Sequence, residues 1–447
     1  MAIRRTVLGW GSAGSIQLLF WFTQLSVLAL GASCYNPHRW DSNYCPEEPI
    51  NHNCRDLKPK SDAPLGCASS SECAPMVCDL AGSKSCVECT ATEHGACTGV
   101  TPVCGADNAC RGCSAHAECD SQLCLPNGVC AVSDEIAYVE PFPGGSDSGR
   151  CTLTLPCATI AKALTTLITG RVFVKLSGIL NEQVTIMNQD VVFHAEPGTR
   201  LTSASTGTLL RVEGTSRVSI SDLQISGAVG ATSGFGILAN SGTSTSISLT
   251  RVKLSDNQAG GLSAIGSALT VSQSTIADNA GGGISFMNGT FLIVGNVFFN
   301  NGSDTASFGG ISIVAPQAGV NRLELNSFNS NRAQATIGAG VHCVVGTFTA
   351  RNNIISANGS PTNPAQIGGS CAHAYSIVRP GTVPPGPGNL AVDPLFKDAA
   401  SGDLHLKPGS PASRAADPGS DLTGIAARDI DGDRRSAPAT IGADELP

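Results

Sequence analysis

One repeat constrains this chain more than any other feature. Between residues 249 and 358 the pattern apolar-x4-apolar-x-x-Asn recurs. Leu249, Leu254 and Asn257 make one copy, and Val271, Ile276 and Asn279 the next. Ile293, Phe298, Asn301 follow, then Leu323, Phe328, Asn331, then Ala350, Ile355, Asn358. An earlier copy, Ile220 and Ile225, has Ala228 in the Asn place. The Asn positions step by 22, 22, 30 and 27 residues. A Gly followed by an aliphatic shares the period, at Gly236, Gly261, Gly283, Gly310 and Gly340. A period of this length marks a solenoid, in which each coil buries its apolar face only against its neighbours.

Local chemistry selects the type of solenoid. Stretches such as Leu292-Ile293-Val294 are short, β-branched and bounded by Asn and Gly, which suits strands. No amphipathic helix of ten or more residues fits between them, so helical and leucine-rich repeats are excluded. The remaining architecture is all-β: a parallel β-helix of about eight to ten coils with two or three short strands each. The Asn is expected to occupy a left-handed corner and to hydrogen-bond from coil to coil as a ladder of Asn257, Asn279, Asn301, Asn331 and Asn358. Residues 200 to 390 hold only 15 charged residues in 191, with one Lys. The whole chain has a net charge of −8 with 27 Lys+Arg, which gives no footprint for nucleic acid.

Nineteen cysteines argue for an oxidising compartment. Twelve form three units of four: Cys67, Cys73, Cys78, Cys86; Cys89, Cys97, Cys104, Cys110; and Cys113, Cys119, Cys124, Cys130. Each unit is too short and polar to fold on a hydrophobic core, so two disulfides per unit are expected, with connectivity open. The C-x-x-C junctions permit zinc, but the units lack regular His partners. Cys45 and Cys54 suit one further disulfide, and Cys151 and Cys157 another. Cys343 and Cys371 lie one coil apart, within disulfide reach on adjacent coils. His342 and His373 raise a Cys2His2 metal alternative there, which strand alternation opposes for His342.

The N-terminus reads as an export signal over 1–33, with Arg4 and Arg5 before an apolar stretch from Ile16 to Leu30. Leu30-Gly31-Ala32-Ser33-Cys34 resembles a bacterial lipoprotein signal, which implies acylation at Cys34. Ordinary secretion is the alternative. Removing Cys34 leaves an even 18 cysteines. The expected order is therefore the signal 1–33, a linker 34–66, the disulfide repeats 67–130, the β-helix 131–392 and a C-terminal cap 393–447. Ile160, Leu164, Leu167 and Ile168 have helical spacing and suit a cap over the first coil. The tail from Asp393 carries ten acids and six bases.

Tyr138-Val139, Gly144 to Asp147 and Pro156-Cys157-Ala158-Thr159-Ile160-Ala161-Lys162-Ala163-Leu164 resemble the leading segment of bacterial right-handed parallel β-helix proteins. Asp393-Pro394-Leu395-Phe396, Leu404-His405-Leu406-Lys407-Pro408-Gly409-Ser410-Pro411-Ala412, Asp429 to Asp433 and Ile441 to Glu445 resemble their closing segment. Residues 67–130 resemble Cys-rich repeats of secreted and surface proteins of Gram-negative bacteria. The resemblance implies the pectin-lyase-like fold, which pectate lyases and polygalacturonases share with adhesins, so it speaks weakly to function.

Carbohydrate cleavage needs clustered carboxylates. Asp256 and Asp278 are the best pair, 22 residues apart and each preceding a ladder Asn. They would stack on adjacent coils ~4.8 Å apart. The plain alternative is two exposed turn residues. No basic partner accompanies them, and all three Trp lie outside the β-helix, at 10, 21 and 40. Asp429, Asp431 and Asp433 have the alternation of a calcium loop start, but Thr440 stands where the closing Glu is needed. A turn is the better reading, with weak Ca2+ binding as the alternative and no other cofactor expected.

These observations give an exported, surface-bound or secreted β-helix protein with a binding, structural or adhesion role, the disulfide units forming a stalk. Expected partners are an extracellular polysaccharide or another surface protein, with membrane contact only through a lipid at Cys34. The rival is a polysaccharide lyase or glycosidase acting in the β-helix groove.

Overall fold

The computed structural model describes residues 66–447 apart from 95–96, 168–170, 241–244, 347, 362 and 447. The signal, Cys34 and the Cys45–Cys54 pair lie outside the described residues. Those described form a right-handed parallel β-helix with a disulfide-rich module at its start. Its three parallel sheets hold ten, nine and eight strands. The chain visits them in that order in every coil: Ala268–Ser272, Thr275–Ala277, Ile284–Met287, then Thr290–Val294, Val297–Phe299, Ile311–Val314.

Register aligns like residues on adjacent coils. Val271 pairs with Ile293, Ile276 with Phe298 and Ile284 with Ile311. The inward members form one continuous core, in which Phe298 and Phe328 stack with ring centroids 4.4 Å apart. The recurring Gly has a steric cause. A Cβ on Gly283 would lie 2.3 Å from the Gly310 carbonyl of the next coil, and one on Gly310 2.5 Å from that of Gly340.

The ladder forms, with one correction. The left-handed residues are Asp256, Asp278, Asn300, Ser330 and Ala357, each immediately before the Asn. That single left-handed residue turns the chain and aims the next side chain inward, so the Asn itself is buried. Each ladder amide bonds in two directions. Asn279 Nδ2 donates to the Leu254 carbonyl (3.0 Å) on the coil before and to Asn301 Oδ1 (2.8 Å) on the coil after. Its own Oδ1 accepts from Asn257 Nδ2 at 2.9 Å. The column ends on Gln366, whose Oε1 accepts from the Asn358 backbone at 2.8 Å.

A second ladder, not anticipated, runs through the corner between the ten- and nine-strand sheets. Asn296 donates to Asn326 and Asn326 to Asn353, both at 3.0 Å. Ser274 and Ser376 end it. Gly295, Leu325 and Asn352 are its left-handed residues.

The predicted helical cap is Ile160–Thr166, with Ile160, Ala163 and Leu164 buried in the main core. Glu182 accepts its first two backbone N–H groups, from Ile160 (2.6 Å) and Ala161 (3.2 Å). Cys151–Cys157 and Cys343–Cys371 are disulfides.

In each Cys-rich unit the first cysteine bonds the third and the second bonds the fourth. The third and fourth face each other across a short antiparallel pairing, as Cys78 does Cys86. Those two residues are therefore tied to different upstream segments.

Two expectations need correction. The third unit is no free stalk, because Leu123 joins Ala131, Ile136 and Tyr138 of the β-helix start in a buried cluster. The segment 393–447 does not simply close the far end. It runs back along the flank, where Val297, Ile354 and Ile377 point outward from the nine-strand sheet. They pack against Phe396, Leu404, Leu406 and Ile441. The apolar outward positions of these late coils are what hold it there. Earlier coils carry Gln224, Lys253 and Thr275 in the same row.

Two outcomes follow. Asn279→Ala removes the side-chain donor to the buried Leu254 carbonyl and the acceptor of the buried Asn257 N–H and Nδ2, and is expected to cost roughly 2–4 kcal/mol in urea unfolding. Asp256→Asn at the neighbouring corner should cost less than ~0.5 kcal/mol. Mild reduction of the folded protein should open residues 67–130 to protease while the β-helix stays resistant, since only the module lacks a core to replace its crosslinks.

Candidate functional site

The two appendages dock on the same flank of the solenoid and leave a stretch between them uncovered. That stretch follows the corner between the ten- and nine-strand sheets. The result is a cleft of about 1000 Å3, walled by the third Cys unit on one side and by Gly424, Ile425 and Arg428 of the tail on the other. Thr250, Ser272, Asp222, Arg251 and Gln273 form its floor.

Each wall is fixed. Tyr138 Oη donates to the Ser121 carbonyl at 2.6 Å, and Lys175 Nζ donates to the Gln122 carbonyl while pairing with Glu196. His116 Nδ1 accepts the Cys124 N–H at 3.0 Å, which fixes the neutral tautomer with its proton on Nε2. Its ring lies edge-on to His194, 6.2 Å between centroids. On the far wall Gln273 Nε2 donates to the Asp429 carbonyl at 2.7 Å. Further along the tail, Asn352 Oδ1 accepts the Asp417 N–H at 2.8 Å, and Arg351 Nη1 lies 3.0 Å from the Asp417 carboxylate.

Arg251 grips Asp222 with two bonds, Nε to Oδ1 at 2.6 Å and Nη2 to Oδ2 at 2.8 Å. The Asp222 carboxylate is thereby committed, while Nη1 of Arg251 keeps its donors. Arg428 is exposed, and its Nη1 donates to the Gly432 carbonyl at 2.6 Å. Among the described residues no carboxylate pairs with it. Burial pushes the His194 imidazole down to about 4, helped by neighbouring His116. Burial, then Lys175, lowers His116.

The residues singled out from sequence lie elsewhere. Asp256 and Asp278 are exposed left-handed residues on the other corner, between the nine- and eight-strand sheets. Asp278 accepts from Asn300 Nδ2 at 2.7 Å. Asp429 is buried and knots the tail: Oδ1 accepts the N–H of Asp431 (3.0 Å) and Asp433 (2.8 Å), and Oδ2 that of Glu445 (2.9 Å). Both oxygens are in use, so the Asp429, Asp431, Asp433 turn is a backbone lock. Cys343 and Cys371 are bonded to each other, so they offer no thiolates to a metal. His373 is buried beside them with Nε2 4.0 Å from Cys371 Sγ, and His342 accepts the Gly338 N–H on the outer side. His116, His194 and Arg428 were missed because nothing local marks them; the docking of two distant segments brings them together.

Residues 208–377 match the family described as the right handed beta helix region. Among solved structures, pectate lyase Pel9A is similar at 11% identity and a TM-score of 0.38, over 70% of this chain and 96% of that one. The Dettilon tailspike protein is similar at 11% identity and a TM-score of 0.30, over 62% of this chain and 65% of its own. No curated protein matches.

The histidine pair makes the module joint sensitive to acid. Both imidazoles have lowered pKa values when docked and return toward ~6.5 when released. The released state therefore binds more protons. Docking is at full strength above about pH 6.5 and weakens as the pH falls toward 4. Glu196, Asp222, Lys175 and Arg251 also face the pair and set its field. Hydrogen-exchange protection of residues 113–139, corrected for intrinsic rates, should fall roughly tenfold or more between pH 7 and pH 4.5. In His194→Leu most of that dependence should vanish.

Proposed function

We propose that this protein works outside the cell as a rigid scaffold whose flank cleft binds an acidic polysaccharide without cleaving it. The carrying observation is the chemistry of the cleft. Arg428 and the outer edge of Arg251 offer unspent guanidinium donors beside the half-buried hydroxyl of Thr250. Guanidinium forks suit carboxylate or sulfate groups, and hydroxyls suit the sugar ring. The carboxylates at the same place are already neutralised: Arg251 holds Asp222 and Lys175 holds Glu196. A glycosidase would need such groups facing the substrate.

An extracellular setting accords with the eight disulfides among the described residues. Surface attachment through a lipid on Cys34 belongs to the same proposal. A stiff solenoid would hold the cleft at a fixed distance from such an anchor.

Titration of the full chain with polygalacturonate and alginate tests this reading. Saturable binding is expected, weakened about tenfold in Arg428→Ala, with no unsaturated or reducing ends released. Release of such ends, abolished in Asp278→Ala, would establish the lyase or glycosidase instead. Binding unaffected by Arg428→Ala would place the ligand outside this cleft.

A further inference from the structure

A second cavity of about 370 Å3 adjoins the cleft and shares Arg251 and Gln273 with it. The returning tail supplies its other wall. His405 stands there between carboxylates on both sides. Its Nδ1 is held by Asp403, and its Nε2 lies 2.8 Å from Asp431 Oδ2. Asp444 joins from a third stretch of chain. One donor atom each from His405, Asp431 and Asp444 lie within 4.8 Å of one another.

We propose that His405, Asp431 and Asp444 form a site for a divalent transition-metal ion of the zinc type. The inference is independent of the polysaccharide reading. Three observations carry it. First, the spacing is close to what an ion needs. Bonds of about 2.0–2.2 Å put ligand atoms roughly 3.4 Å apart in a tetrahedral shell, between the 2.8 Å of His405 Nε2 to Asp431 Oδ2 and the 4.8 Å that bounds the set. Second, Asp403 on Nδ1 fixes the imidazole with Nε2 toward the other two ligands. Carboxylates support metal-bound histidines in this way, and the arrangement raises ligand basicity. Third, the charge is unbalanced. Three carboxylates surround one imidazole, and even its imidazolium would leave two negative charges. The cations around the cluster do not make up the difference. Arg435 is spent on Glu445 and on the carbonyls of Gly442 and Ala443, and Arg251 on Asp222. Lys397 acts on Asp403 from outside, and Lys253 stands on the opposite wall of the cavity.

The site is also held and accessible. Asp444 is buried and anchored by the Leu406 N–H at 2.8 Å, whereas Asp431 is exposed. The Asp429 knot binds the Asp431 turn to the segment of Asp444 through the Glu445 N–H. The adjoining cavity leaves room for water in the remaining coordination positions. An imidazole nitrogen with two carboxylates favours zinc, manganese or cobalt over calcium, which takes oxygen ligands. This ligand set shares only Asp431 with the Asp429, Asp431, Asp433 pattern.

Calorimetric titration of the tag-free full chain with Zn2+ at pH 7 is the test, with Co2+ absorption as a second readout. One equivalent should bind. His405→Gln and Asp431→Asn should each weaken it by about tenfold or more and alter the Co2+ spectrum. Asp433→Asn should leave both unchanged. Thermal unfolding without metal checks that each variant folds. Equal affinity and an identical Co2+ spectrum in wild type, His405→Gln and Asp431→Asn would overturn the proposal, as would the lack of any Zn2+ binding.

Discussion

The buried amide ladder is the interaction on which the rest of the structure depends. A solenoid coil turns sharply at each corner, and each turn strands backbone groups inside. Here a ladder Asn within the column gives one side-chain N–H to a carbonyl of the preceding coil and the other to the next Asn, as Asn279 and Asn301 do. The column thus satisfies corner carbonyls and locks the coils in register at the same time. A slip of one residue would turn Phe298 and Phe328 out of the core and break the column together. Fixed register also fixes the outer rows, and these decide where the two appendages attach.

Those outer rows divide the flank into three. Near the start, Lys175 and His194 receive the third disulfide unit. In the late coils Val297, Ile354 and Ile377 receive the tail. Between them the row is polar, with Thr250, Arg251, Ser272 and Gln273, and nothing covers it fully. The cleft is what remains when two docking surfaces of different chemistry share one edge of a regular scaffold. Its contents are charged groups whose partners are largely internal, and Arg428 is the exception.

Much of the fold was legible because a coil repeats the same local problem. The Asn column, the inward aliphatics and the coil-to-coil disulfide all follow from one period, and the first-coil helix follows from its own helical spacing. The second ladder was not read, although its signal is present: Asn296, Asn326 and Asn353 each precede a ladder Asn by five residues. The left-handed positions were misplaced by one, because Asn has the local propensity while the turn needs the residue before it. The disulfide pairing within units was not legible, since four cysteines in a polar segment allow three connectivities. The site was least legible of all. His116 and His194 are far apart in sequence, and the path of the tail depends on outward apolar residues that the repeat alone would assign to solvent. The Asp256 and Asp278 pair stood out for the opposite reason: it lies on the period, where regularity makes turn residues look like a constellation.

Hydrogen exchange of the intact protein, followed by mass spectrometry over peptides spanning 254–280 and 276–302, tests the central claim most directly. If the ladders hold the coils in register, the amides of Asn257, Asn279 and Asn301 exchange only with global opening. They should then be protected as strongly as the strand amides of Leu254 and Ile276. Exchange of those three amides at the rate of exposed turns, with the strands still protected, would show that the strands hold the solenoid without them.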